Sequence, residues 1–141
     1  MYLIQSYTMP KTNFDYSKTI IYKICCNDIN ITDIYIGHTT NFIKRKSTHK
    51  ATCNHSTNRD YNFKVYQFIR ENGGWDNWNM IMIEKYPCNN ILEATKKERY
   101  FFEELKATLN MKTPSRTIPE WNNENRDYKN NQQREYNKIH Q

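Results

Sequence analysis

The sequence predicts an α+β fold in which short strands are layered against helices. Three runs rich in β-branched and aromatic residues, over 18–26, 31–37 and 78–86, have the composition of strands. Three segments with apolar residues at helical spacing, about 41–52, 63–69 and 91–108, complete the order β-β-α-α-β-α. Turn and cap residues separate these six segments, and 141 residues support a single domain.

Residues 1–16 carry scattered apolar side chains (Tyr2, Leu3, Ile4, Tyr7, Phe14) around Pro10 and read as an extended N-terminal arm. The folded domain is expected over 17–114. Its first strand has apolar residues on both sides of the alternation, as in a strand covered on both faces. Asn27-Asp28-Ile29-Asn30 supplies a turn, so the second strand returns antiparallel. Thr39, Thr40 or Asn41 caps the first helix, whose expected inner face is Phe42, Ile43, Ser47 and Ala51. A polar stretch over 53–61 leads to a compact apolar helix through Phe63, Val65, Tyr66, Phe68 and Ile69, with Gly73 placed as its C-terminal cap. Pro87 stops the third strand because proline cannot donate to a ladder. Asn89 or Asn90 opens the longest helix, with Ile91, Leu92, Ala94, Thr95, Tyr100, Phe101, Phe102, Leu105 and Leu109 as its buried face. Lys106 suits the negative end of that helix, and Asn110 follows it. The polar tail over 115–141 reads as either disordered chain or a solvated helix.

Lys plus Arg number 21 against 15 Asp plus Glu, and the net charge of +6 favours a polyanionic partner such as nucleic acid. No apolar run is long enough for a membrane span or a signal peptide, so an intracellular protein, of cytoplasm or nucleus, is expected. Adjacent Cys25 and Cys26 would leave a strand on opposite faces, which with Cys53 and Cys88 fits reduced thiols. Cys53 and His55 lack a second matching pair for zinc. The abundance of Asn, Ile, Lys and Tyr is what AT-rich coding produces, as in some large DNA viruses, phages or mobile elements.

The stretch from Tyr35 to His49 places a phenol, a guanidinium and an imidazole in one strand-to-helix unit, with Arg45 and His49 one helical turn apart. By itself this is equally a basic surface helix. Glu98 has Lys96, Lys97 and Arg99 as neighbours and is either a solvated glutamate or, if its helix packs beside Tyr35, a hard oxygen ligand suited to Mg²⁺.

These residues resemble the GIY-YIG nuclease family. Tyr35-Ile36-Gly37 is the second signature tripeptide, and Ile20-Ile21-Tyr22 stands at the first, with Ile20 where glycine is usual. Arg45 lies ten residues and His49 fourteen after Tyr35, and Asn110 lies twelve after Glu98, each at the family's spacing. The likeness covers about 17–114. Two departures stand out: the signature tyrosines are 13 apart, slightly longer than usual, and His38 follows Gly37 where some members carry lysine.

The resemblance implies a three-stranded antiparallel sheet flanked by helices and a metal-dependent DNA endonuclease. In-line attack of water on a phosphodiester would release the 3′-oxygen and leave a 5′-phosphate, with Mg²⁺ or Mn²⁺ on Glu98 and Arg45 stabilising the charge. Tyr35 would be the general base, helped by Arg45, the metal or a protonated His49, or passing its proton to a neutral His49. Tyr22 would hold the water or Tyr35, and Asn110 would tie the helix end to the active strand. His38, Lys44, Lys46, Lys50, Lys96, Lys97 and Arg99 are expected to contact DNA, double-stranded or branched, and the tail over 116–138 to act as a phosphate-binding arm. The alternative is a catalytically inactive nucleic-acid-binding module of the same fold, and a structural protein without a nucleic-acid partner is the third reading.

Overall fold

A computed structural model describes residues 14–140, so the expected arm over 1–16 lies almost wholly outside the described residues. Tyr16–Lys18 is a single 3₁₀ turn in which the Asp15 carboxylate accepts from Ser17 N. Three strands follow as β1 (Ile20–Cys26), β2 (Ile34–Thr39) and β3 (Trp78–Lys85), in the sheet order β2-β1-β3, with both pairings antiparallel. The fold class expected from the sequence is the one observed. β1 is central, which explains its two apolar faces: Ile21 on one side and Tyr22 and Ile24 on the other are fully buried. β2 begins at Ile34, not at 31, because Ile31 N is drawn into the turn by Asp28 O. A register shift between Ile21 and Tyr22 sets Met82 opposite Tyr22 and Glu84 opposite Ile21, and so turns Glu84 towards the far face.

One face of the sheet carries α1 (Phe42–Asn54) and α2 (Lys64–Glu71). Here Tyr22, Ile24, Val65, Tyr66, Ile69, Trp75, Trp78, Met80 and Leu109 form the main core with Cys53. Asn41, among the three cap candidates, accepts from Lys44 N through its side chain. The expected inner face of α1 is only partly right: Phe42 packs against the core and Ala51 is half-buried, but Ser47 is exposed, Ile43 is 82% exposed, and the fully buried residues are His49, Thr52 and Cys53. His49 and Thr52 put polar groups into the buried stripe because it builds a site, so apolar periodicity alone does not find them. α2 ends as Gly73 turns left-handed at φ 96° and Gly74 N bonds Ile69 O.

α3 (Ile91–Glu104), capped by Asn90, packs against β2. It ends four residues before the expected 108. Lys106 is left-handed at φ 53° and terminates the helix, with Ala107 N bonded to Phe102 O. Of its expected buried face Ala94 is buried on the helix and Leu109 beyond its end, and Ile91, Leu92, Tyr100 and Leu105 are exposed, since the narrow sheet meets one edge of the helix alone. Residues 108–110 then run along the outer edge of β2, where Thr108 N and Leu109 N reach Ile34 O. Beyond Pro114 the tail forms α4 (Ile118–Glu124) and α5 (Arg126–Ile139), two solvated helices. A Thr117–Glu120 capping box starts α4, and Arg99 anchors it through Glu120 at 2.9 Å. All four cysteines are free thiols, and among the described residues no helix is long and apolar enough to cross a membrane.

Candidate active site

The site grows from a close approach at Gly37. Tyr22 on β1 lies opposite Gly37 on β2, and a Cβ there would stand 2.5 Å from Tyr22 Oη. The missing side chain lets the phenol lie flat over the strand. Its hydroxyl then meets α1, where residues four apart share a face: Arg45 Nε donates to Tyr22 Oη at 3.2 Å, and His49 Nε2 is 2.8 Å away. Tyr35, on the same side of β2 as Gly37, meets the His49 ring edge-on at 5.6 Å. From α2 comes Tyr66, whose Oη is 2.7 Å from His49 Nδ1.

Burial sets the protonation of this cluster. It pushes the Tyr22 phenol above its ordinary range, aided by Tyr35 and opposed by Arg45. Tyr35 is likewise raised, by burial and then by the Glu98 carboxylate, with Arg45 and Tyr22 partly offsetting both. Burial, with the Arg45 charge beside it, lowers His49 to about 3, so its imidazole is neutral at pH 7. Of the helpers considered for Tyr35, a protonated His49 is therefore removed.

A cleft of about 430 Å³ opens beside the cluster, lined by Tyr35, Arg45, Glu98 and Asn110, with Tyr66, Asp60 and Lys112 also on its walls. Tyr22 and His49 stand behind this surface. Glu98 arrives from α3, and its Oε2 is 2.5 Å from His38 Nδ1, which leaves β2 on the face opposite Gly37. Asn110 lies five residues past the helix C-cap, so it ties a following segment to β2, not the helix end itself. Its side chain accepts from Ile36 N at 3.0 Å and donates to Ile36 O at 2.8 Å, as a neighbouring strand would.

The expected DNA contacts are sorted less evenly. Lys44, Lys46 and Lys50 are exposed on α1, and Lys44 shares the edge of Thr48, which lines the cleft. His38 is engaged by Glu98. Lys97 is turned to Glu84 at 3.2 Å among the rings of Tyr86, Tyr100 and Phe101, and Arg99 is held by Glu103 and Glu120. These two side chains are paired within the fold, and α3 offers Lys96 as its exposed cation. In the tail Arg116 pairs with Glu124 and Lys138 with Glu135, while Arg126 and Lys129 bond the neutral side chains of Asn123 and Asn122.

Among the described residues no group of three or more His, Cys, Asp or Glu could hold a metal. The cleft carries two carboxylates, Glu98 and Asp60, and Glu98, whose charge acts on Tyr35, fits a cation such as Mg²⁺ that keeps most of its waters and takes substrate phosphate. Sequence reasoning missed Tyr66, Asp60 and Lys112. Tyr66 was hidden because an apolar helix pattern absorbs a tyrosine as core, and its 5% exposure agrees with that pattern.

The model of the GIY-YIG catalytic domain matches residues 18–112. The chain belongs to the GIY-YIG family. The matched span holds every site residue from Tyr22 to Asn110, and the GIY-YIG domain is a nuclease domain, generally of endonucleases acting on DNA. Its GIY-YIG core here is the three-stranded sheet with α1 to α3, and α4 and α5 fall outside the match. Searches of curated proteins and of solved structures returned no significant match.

Proposed function

We propose that the protein is a metal-dependent endonuclease that hydrolyses phosphodiester bonds in DNA, with Tyr35 as general base and Glu98 as the metal ligand. The observation that carries this is the convergence of Tyr35, Arg45 and Glu98 on one cleft. A divalent cation such as Mg²⁺ or Mn²⁺ on Glu98 would neutralise charge on the phosphoryl and leaving oxygens. Arg45, a permanent cation facing the cleft, gives the same phosphate two N–H donors and holds it in line for water. Tyr35 orients that water through its hydroxyl and takes its proton during attack, which leaves a 5′-phosphate and a 3′-hydroxyl. The raised tyrosine values mean that Arg45 alone does not make a phenolate, so substrate and cation are needed to complete the base. Asn110 keeps Tyr35 aimed at the cleft by fixing the next residue, Ile36, at both backbone groups.

A plasmid-nicking assay with and without Mg²⁺ tests the reading. Cutting that needs the cation and disappears in Glu98→Ala is expected, with a loss of at least about 10³-fold for Glu98→Ala and Arg45→Ala. DNA retained on a gel but never cut, under several divalent metals, would instead support the inactive binding module, in which His38 keeps Glu98 occupied.

A further inference from the structure

His49 is 1% exposed and clamped at both ring nitrogens, by Tyr22 at Nε2 and by Tyr66 at Nδ1. A neutral imidazole has one proton, so one nitrogen donates and the other accepts. Arg45 narrows the choice. Its Nε donates to Tyr22 Oη, so the proton of that hydroxyl points elsewhere, to His49 Nε2 at 2.8 Å or to Tyr35. With Tyr35 donating to Tyr22 and Tyr22 to His49, Nε2 is bare and Nδ1 carries the proton given to Tyr66 Oη. The proton of Tyr66 has a place too. The Thr52 hydroxyl lies beside it and gives its own proton to Thr48 O at 2.8 Å, so it is open to accept from Tyr66. Every proton in the row from Tyr22 through His49, Tyr66 and Thr52 then runs one way.

We propose that Tyr66 is a positioning residue for the proton of Tyr35: by accepting from Nδ1 it holds His49 in the tautomer whose bare Nε2 takes the proton of Tyr22. In the step itself the Tyr22 O–H bond breaks as its proton joins Nε2, and the Tyr22 oxygen takes the proton of Tyr35, whose ring lies 6.3 Å away and whose hydroxyl is hydrogen-bonded to it. Tyr35 becomes the phenolate and His49 the imidazolium, with Nδ1–H still on Tyr66. Burial works against that imidazolium, and the Tyr66 oxygen offsets part of the cost. The catalytic consequence rests on the endonuclease reading, whereas the tautomer does not.

The test uses the full chain and Tyr66→Phe, which removes one oxygen from a 5% exposed ring. Nitrogen-15 NMR of the imidazole should find the His49 proton on Nδ1 in the parent protein and on Nε2 in the variant. Thr52→Val frees Tyr66 to donate to Nδ1 and should move the proton the same way, which provides a second reading if Tyr66→Phe folds poorly. In the nicking assay Tyr66→Phe should lower kcat about tenfold at unchanged KM, and should add nothing in a His49→Phe background. A parent protein with its proton on Nε2, or an equal loss of kcat in the background lacking His49, overturns the proposal. A tautomer that shifts as described in a protein that cuts no DNA overturns the endonuclease reading and leaves the assignment of Tyr66 to the tautomer standing.

Discussion

A single absent carbon at position 37 sets how deeply Tyr22 can lie. An alanine there brings Cβ to 2.5 Å from Tyr22 Oη and 2.6 Å from Cζ of a fully buried ring, so the phenol must move away from Arg45 and His49. Gly37→Ala is expected to cost about 1–3 kcal/mol in urea unfolding, in line with overpacking, and to abolish cleavage in protein that still folds. His49 offers a test in pH. Its folded value of about 3 lies below the ordinary 6.5, so the unfolded chain binds the extra proton first. A group depressed in this way contributes stability that is full above the unfolded value and is lost as pH falls towards the folded one. Between pH 6.5 and 3 the loss approaches about 1.4 kcal/mol per pH unit from this group. The urea midpoint of the parent protein should therefore fall more steeply with acid than that of His49→Phe, with the clearest difference above pH 5, before carboxylates protonate.

At the scale of elements, the segment after α3 acts as a fourth edge for the sheet. Asn110 imitates a backbone residue towards Ile36, and the two bonds cross 74 positions of sequence. Asn110→Ala leaves both groups of Ile36 without these partners, at about 1–3 kcal/mol in urea unfolding, and loosens the strand that carries Tyr35. Asn110→Asp should be worse, since it cannot donate to Ile36 O and sets a carboxylate against that carbonyl. Strands and caps were legible because their signals are local: Asn41, Asn90, Gly73 and Pro87 each act on neighbouring backbone. Of the inner face of α1 only Phe42 and Ala51 were, because Arg45 and His49 turn inward for hydrogen bonds and not for apolar burial. The site residues themselves were readable from spacing along the chain. Their division into a cleft layer and a buried layer was not, since it depends on the Tyr22 and Gly37 pairing across two strands. Nothing in the sequence marked Tyr66 as more than core.

Over the whole molecule the net charge of +6 matters less than which cations are left free. Lys44, Lys46 and Lys50 are exposed on α1, whereas Lys97 and Arg99 are paired within the fold. The logarithm of DNA affinity should fall linearly with the logarithm of salt, and removing each α1 lysine that meets phosphate should reduce the slope by about 0.9. Lys97→Ala should leave the slope unchanged, a contrast that fluorescence anisotropy across a salt series resolves. The clasp of residues 108–110 on β2 also has a bearing on how the protein is made. All three strands and the first two helices precede Glu98 in the chain, and the wall of the cleft is finished by residues up to Pro114. A chain still growing on the ribosome therefore carries its tyrosines, arginine and histidine long before it has a closed cleft. The cell that makes it meets a finished cleft only when synthesis of the domain is all but over.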